Sequence, residues 1–263
     1  MSGDPTFKDY FSERAAEYAR FRPRYPAELF EALAELAPGH RLAWDCGTGN
    51  GQAAVGLAAH FQRVMATDAS AQQLAHAERH PRVTYGRSLE TRSSLATAAV
   101  DLVTVAQALH WFDVEPFFAE VRRVLRPGGV VAVWCYDLAR VDREIDGLID
   151  RFAHETVGRH WAPERRHVRA GYRDLPFPFE ELPFPQCTME RDLTLYQLAG
   201  YLDTWSAVRR YRQAVGTDPL APLVEAIAPL WGDPGAPRTV FWPLRGRVGT
   251  MPRRAFAPGR TPP

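Results

Sequence analysis

Trp44-Asp45-Cys46-Gly47-Thr48-Gly49-Asn50-Gly51 stands where a short apolar run, residues 41–46, hands over to a helical pattern at about 51–60. Three glycines at alternate positions allow backbone angles that other residues resist and let a ligand approach the main chain with no Cβ in the way. In an open α/β sheet the first strand-to-helix turn borders the usual ligand crevice. Asp45 closes the strand and can accept a hydrogen bond from a ligand amine. Asp68, seventeen residues beyond Gly51, closes the next apolar run, where an acid commonly binds the hydroxyls of an adenosine ribose.

Outward from this turn, strand and helix patterns alternate. Strands are expected at 41–46, 63–68, 82–86, 100–106 and 130–136, and helices at 27–37, 51–60, 71–79 and 115–125. Pro26 suits a helix start, Ser70 an N-cap, and Pro127-Gly128-Gly129 a sharp break. Such alternation implies right-handed crossovers and a parallel sheet covered on both faces. Beyond Tyr136 the rhythm changes. Residues 141–160 read as helical, 161–185 are rich in Arg, Pro and Phe, 186–194 read as a strand, 195–214 and 220–231 as helices, and 239–248 as a closing strand. The expected organisation is a core of 1–137 and 185–250 with an N-terminal cap at about 1–38. A helical lid follows at 138–184 with about 195–231, and 251–263 is expected to be a flexible tail.

Composition narrows the function. The formal net charge of the 263-residue chain is +1, so no global field draws it to nucleic acid or an anionic membrane. Lys8 is the only lysine, the other 31 of 32 basic residues being arginine, which leaves a lysine-dependent mechanism almost nowhere to act. Cys46, Cys135 and Cys187 lie far apart, without a C-x-x-C pair; neither a disulfide framework nor a metal site is expected. With no apolar leader or long apolar run, a cytoplasmic protein is expected, monomeric or weakly dimeric.

Asp45-x-Gly47-x-Gly49-x-Gly51, Asp68 and Arg126-Pro127-Gly128-Gly129 together resemble the motif set of class I S-adenosylmethionine-dependent methyltransferases. Tyr18 to Pro26, Gln107-Ala-Leu-His110-Trp111-Phe112-Asp113 and Gly200 to Ser206 resemble the trans-aconitate methyltransferase-like branch. The resemblance runs from about residue 7 to 248. It implies a doubly wound, seven-stranded, mostly parallel α/β sheet of Rossmann-like type with a helical cap and lid. It also implies that S-adenosylmethionine is the cofactor. Asp45 and the backbone of Gly47, Thr48, Gly49 and Gly51 would then hold its methionine end and Asp68 its ribose. Ala69, Ser88, Leu89 and Glu90 would border the adenine, Gln107 would stand beside the sulfonium, and Tyr18 and Arg22 would join the cofactor site. Cys46 departs from the glycine frequent at its position in the family.

His110, at the mouth of the crevice, is the candidate general base, because its ordinary pKa suits a proton acceptor near neutrality; a carboxylate acceptor would need no base and leave it a positioning role. Tyr25, Trp111, Trp161, Tyr172, Tyr201 and Trp205 are candidate walls of a substrate pocket, and serve equally as core residues. Arg165 leads a group that includes Arg166, Arg169 and Arg173; its fork suits a carboxylate. The expected reaction is methylation of a small molecule, at an oxygen and with carboxylates in view. Three alternatives remain: a nucleic-acid methyltransferase, although the Asn/Asp-Pro-Pro-aromatic motif is missing after the fourth strand; a nicotinamide oxidoreductase, since Gly49-x-Gly51-x-x-Ala54 fits the dinucleotide spacing; and a non-catalytic S-adenosylmethionine-binding protein.

Overall fold

A computed structural model of the chain describes residues 23–252; Tyr18, Arg22 and the expected tail from 253 onward lie outside the described residues. Helix α1 (Ala27–Leu36) is capped by Pro26, one residue before the helical turn expected for it, and buries Leu29, Phe30, Leu33 and Ala34 along one stripe. Then follow β1 (Leu42–Cys46), α2 (Gln52–Leu57), β2 (Arg63–Asp68), α3 (Ala71–Ala75), β3 (Val83–Arg87), β4 (Val100–Ala106), a 3₁₀ turn (Leu109–Trp111), α4 (Val114–Val124) and β5 (Leu125–Tyr136). The Ser70 hydroxyl accepts the Gln73 N–H and caps α3, which is one turn shorter than its pattern suggested.

The order across the sheet is β3-β2-β1-β4-β5-β8-β6, parallel from β3 to β5. The last strand, β8 (Arg238–Thr250), runs antiparallel to β5. The β5 edge of β8 continues to the Arg140–Phe241 bridge. The opposite edge is therefore left to two short strands, β6 (Glu180–Leu182) and β7 (Thr188–Leu193). Among the described residues eight strands thus fill seven positions, the outermost shared by β6 and β7. β6 falls inside the stretch read as lid. The chain also pairs with β4 before the Pro127-Gly128-Gly129 break: Leu125 faces Val100, and the register shifts before Val130 meets Leu102.

Period-two alternation divides the core between the two faces. On β5, Val130, Ala132, Trp134 and Tyr136 join one cluster with α1 and α2, while Val131, Val133 and Cys135 join the other with Phe117, Phe118 and Val121 of α4. Each buried Val or Phe among them stabilises the fold by about 1.5–3 kcal/mol. At the lower rim the buried Asp101 carboxylate accepts the N–H groups of Arg41 and Leu42 and pairs with Arg126 at 2.7 Å. The starts of β1, β4 and β5 are thereby fixed together.

The remaining helices pack over one end. They are α5 (Arg143–Arg151), continued by a π turn (Phe152–Thr156), then α6 (Arg165–Arg169), α7 (Leu195–Asp203), α8 (Ser206–Val215) and α9 (Leu220–Trp231). The helix expected over 195–214 is therefore two, parted at Thr204-Trp205. The Thr204 hydroxyl bonds the Tyr201 carbonyl at 2.6 Å, and Trp205, 3% exposed, turns inward as the N-cap of α8. Among the described residues no helix is long and apolar enough to cross a membrane.

Candidate active site

The turn from β1 to α2 is held from beneath and from the side. The N–H groups of Gly47 and Thr48 both donate to the Thr67 carbonyl at the end of β2 (2.8 and 3.0 Å), and Gly51 N–H donates to Thr48 O. Gly47, Gly49 and Gly51 have φ of 69°, 55° and 81°. A Cβ on Gly51 would lie 2.1 Å from the Tyr85 hydroxyl, whereas one on Gly49 would find only Gln73 Oε1 at 3.9 Å. The outer limb of the turn is thus an open backbone cradle. Asp68 spans it: one carboxylate oxygen accepts Gly49 N–H and the other Ser70 N–H, each at 2.8 Å.

In front of the cradle is a cavity of about 200 Å³. Of the expected cofactor residues, Gly47, Thr48, Gly49, Asp68, Ala69, Ser88, Glu90 and Gln107 line it. Asp45, Gly51 and Leu89 do not. Asp45 is fully buried behind the turn, where Thr48 and Thr104 donate their hydroxyls to it at 2.5 and 2.8 Å. Burial pushes its carboxyl up to about 6, more than these two hydrogen bonds pull it down. It therefore braces the loop. Leu89 turns to solvent, 40% exposed. Cys46, Gln73 and Tyr136 also line the cavity and were not foreseen. Gln73 lies one turn into α3, on the face toward Gly49, a placement its helical spacing from Ser70 could have signalled.

Gln107 is set by an unusual backbone. Its φ is 56°, a region a side-chain-bearing residue enters at a cost. Its amide pairs with the main chain of Tyr136, donating to the carbonyl at 3.1 Å and accepting the N–H at 2.8 Å, while its own N–H donates to Trp134 O. The side chain thus continues the β4–β5 pairing beyond the strand end.

A second, smaller cleft of about 80 Å³ lies beside the first and shares Gln107 and Trp111 with it. His110, Trp161, Arg165, Tyr201 and Trp205 line this cleft, together with Asp137 and Ser206, which were not singled out. Arg165 lies 3.8 Å over the Trp161 ring and pairs with Asp137. Tyr25 lines the first cavity instead, its N–H held by Gln52 at 3.3 Å and its ring edge-on to Trp134. Tyr172 lines neither; it is fully buried behind His110. Of the arginine group only Arg165 reaches the cleft, while Arg166, Arg169 and Arg173 face solvent. Burial, with Arg165 and His167 nearby, lowers the His110 imidazole to about 3. The ring is neutral at physiological pH and a poor match for the expected base.

The open cradle, an anchored carboxylate and the polar far wall of Ser88 and Glu90 fit an adenosyl group carrying an amino acid. Comparisons agree. The methyltransferase domain family matches residues 44–133. A protein named as a methyltransferase in Dictyostelium discoideum is 32% identical over 225 residues, spanning 84% of this chain and 86% of its own. An uncharacterised methyltransferase of Mycobacterium tuberculosis is 33% identical over 178 residues, 64% of this chain and 65% of its own. A solved structure from Anaeromyxobacter dehalogenans, assigned as a type II methyltransferase, superposes with a TM-score of 0.84 at 48% identity, covering 88% of this chain and 99% of that one.

Proposed function

Because the chain belongs to the class I S-adenosylmethionine-dependent methyltransferases, we propose that it methylates a small molecule at an oxygen, with carboxylates the leading class of acceptor. The observation that carries this reading is the shared wall of Gln107 and Trp111 between the cofactor-sized cavity and a confined aromatic cleft. A cleft of about 80 Å³ suits a compact acceptor better than a polymer strand.

S-adenosylmethionine, when bound, supplies an electrophilic methyl group on a sulfonium. The backbone of Gly47 to Gly49 would hold its amino-acid end, Asp68 its ribose, and Ser88 with Glu90 its base; Tyr18 and Arg22 stay with this site on resemblance alone. Asp45 acts from behind by keeping the loop in shape. Gln107, its amide tied to Tyr136, orients the boundary between the two ligands. Trp111, Trp161 and Trp205 exclude water, which favours a reaction whose charges disperse toward the transition state. Holding nucleophile and methyl carbon in line near contact distance is worth up to roughly 7–11 kcal/mol. Arg165, steadied by Asp137 and stacked on Trp161, offers a guanidinium edge to an anionic acceptor.

The test is a methyl-transfer screen with labelled S-adenosylmethionine against small mono- and polycarboxylates, phenols and amines, with transfer RNA and duplex DNA in parallel. Label incorporated into a small carboxylate and released as methanol by mild alkali is the expected result. Incorporation into nucleic acid alone would overturn the reading, and alkali-stable label would move the acceptor from carboxylate to another atom.

A further inference from the structure

Pro23, Arg24, Tyr25 and Pro26 lead into α1 without helix or strand pairing of their own. Proline fixes φ and offers no N–H, and the residue before it is steered to extended backbone; Pro26 is itself extended, with φ of −70° and ψ of 148°. Within this run Pro23 and Tyr25 line the cofactor cavity. Every other lining residue stands at the end of a sheet strand or in the turn and helix that follow one. The wall made by Pro23 and Tyr25 is thus the part of the lining that does not belong to the sheet, and the part that can shift without disturbing it.

One side chain of the cradle holds that wall. Gln52, directly after Gly51 and first in α2, donates from Nε2 to Pro23 O at 3.2 Å and accepts Tyr25 N–H on Oε1 at 3.3 Å. A primary amide carries both a donor and an acceptor, so it grips the main chain as a neighbouring strand would. Both bonds are long for N–H···O, which suits a hold that must release. A second hold lies outside: Arg24 pairs with Glu78 at 2.8 Å, and Glu78 N–H donates to Asn50 O at 2.9 Å. That ion pair is exposed and contributes little. The Tyr25 ring rests edge-on against Trp134 and Phe30, centroids 5.5 and 6.4 Å away, a seat to which the segment returns.

We propose that Gln52 is a positioning residue, a latch that keeps the Pro23–Tyr25 strap against the cofactor cavity, so that the cofactor enters and leaves only after the amide lets go. The latch concerns the cofactor and stands whatever the methyl acceptor proves to be. A residue that merely touched the ligand would alter its departure alone. A latch closed on the free and the loaded protein alike slows both directions.

The test uses the full chain and S-adenosylhomocysteine, with association and dissociation rates read by surface plasmon resonance. Gln52→Met keeps the side-chain length and a good helix former while removing both hydrogen bonds. Both rates should rise about fivefold in this variant, with Kd staying within about twofold of the parent. Trypsin reports the strap separately, because it cuts after Arg24 but not between Arg22 and Pro23. Without ligand, Gln52→Met should yield the fragment beginning at Tyr25 about fivefold faster than the parent. In the parent, saturating S-adenosylhomocysteine should slow that cut by a similar factor. Unchanged rates, a rise in dissociation alone, or equal cleavage of parent and variant would each overturn the proposal. So would parent cleavage that ignores the ligand, a result that needs no variant to fold. Ligand-free cleavage reads the latch by itself, which tells a strap not held by Gln52 apart from a cavity that takes no S-adenosylhomocysteine.

Discussion

Asp45 and His110 both border the site and both differ from an unfolded chain in protonation between pH 4 and pH 6, with opposite signs. Asp45 is raised from the ordinary 3.8 to about 6 by burial, so between those values the folded protein holds a proton that the unfolded chain has lost. Stability from this group therefore falls as pH rises from about 4 to 6. His110 is lowered from 6.5 to about 3; there the folded protein lacks a proton the unfolded chain carries, and stability rises with pH over the same window. The two largely cancel in the parent protein, so a difference measurement is needed. Asp45→Asn removes only the first contribution. The unfolding free energy of the parent relative to Asp45→Asn should drop by about 2.4 kcal/mol between pH 4 and pH 7, most of what 1.36 kcal/mol for each unit of pKa difference supplies, when both proteins are unfolded in urea across that range. Glu120, held near 2 chiefly by Arg123, acts on both proteins and drops out. Parallel pH curves would mean that Asp45 is already ionised in the fold without penalty.

The turn between β1 and α2 separates two kinds of glycine that look alike in the sequence. Gly51 needs its positive φ and also the space taken by the Tyr85 ring, whose hydroxyl donates to Glu78 O at 2.5 Å. Gly49 needs only its positive φ, because its missing Cβ points into the open cradle. Gly51→Ala should therefore cost about 2–5 kcal/mol, from left-handed strain and overpacking together. Gly49→Ala should cost about 1–2 kcal/mol from strain alone, yet weaken S-adenosylhomocysteine binding at least tenfold by calorimetry. Equal losses of stability in urea, or unaltered binding by Gly49→Ala, would refute the distinction. The glycine spacing, Asp68 and the Ser70 cap were readable in sequence because each acts within one strand-to-helix connection. β2, β4 and α9 matched their patterns end to end for the same reason. β6 was not readable, being three residues whose pairing comes entirely from β8. Nor was the break between α7 and α8, which has neither glycine nor proline to mark it. Most of the cleft was legible, since Gln107, His110, Trp111, Trp161, Arg165, Tyr201 and Trp205 are all candidates on sequence grounds and line it, but Asp137 acquires its meaning from a partner 28 residues away.

At the scale of the whole molecule, the region read as a lid does not have a core of its own. One cluster of buried side chains joins Leu29 and Phe30 of the cap and Trp134 of the sheet to Ile145, Leu198, Trp205 and Ile227 of the covering helices. β8 makes the union covalent as well as spatial, since it leaves α9, pairs with β7 and β6 along one edge and with β5 along the other. Gly246 stands where that outer edge passes from β6 to β7, and a Cβ there would lie 2.3 Å from Val133 O and 2.7 Å from the Phe184 ring. Opening the helices would expose the same apolar surface that holds the sheet, so local unfolding of the covering layer costs nearly as much as unfolding everything. We expect one cooperative transition in urea, with the loss of helix by circular dichroism coinciding with tryptophan fluorescence. The fluorescence reports from both layers, because Trp44 and Trp134 are buried in the sheet and Trp205 and Trp231 in the covering helices. Restoring the separate transitions of an independent lid would require a second core, and two resolved midpoints would show that one exists. Substrate entry in this architecture then depends on side-chain and loop movement at the rim of the cleft, around Trp161 and Arg165, and not on a hinged domain.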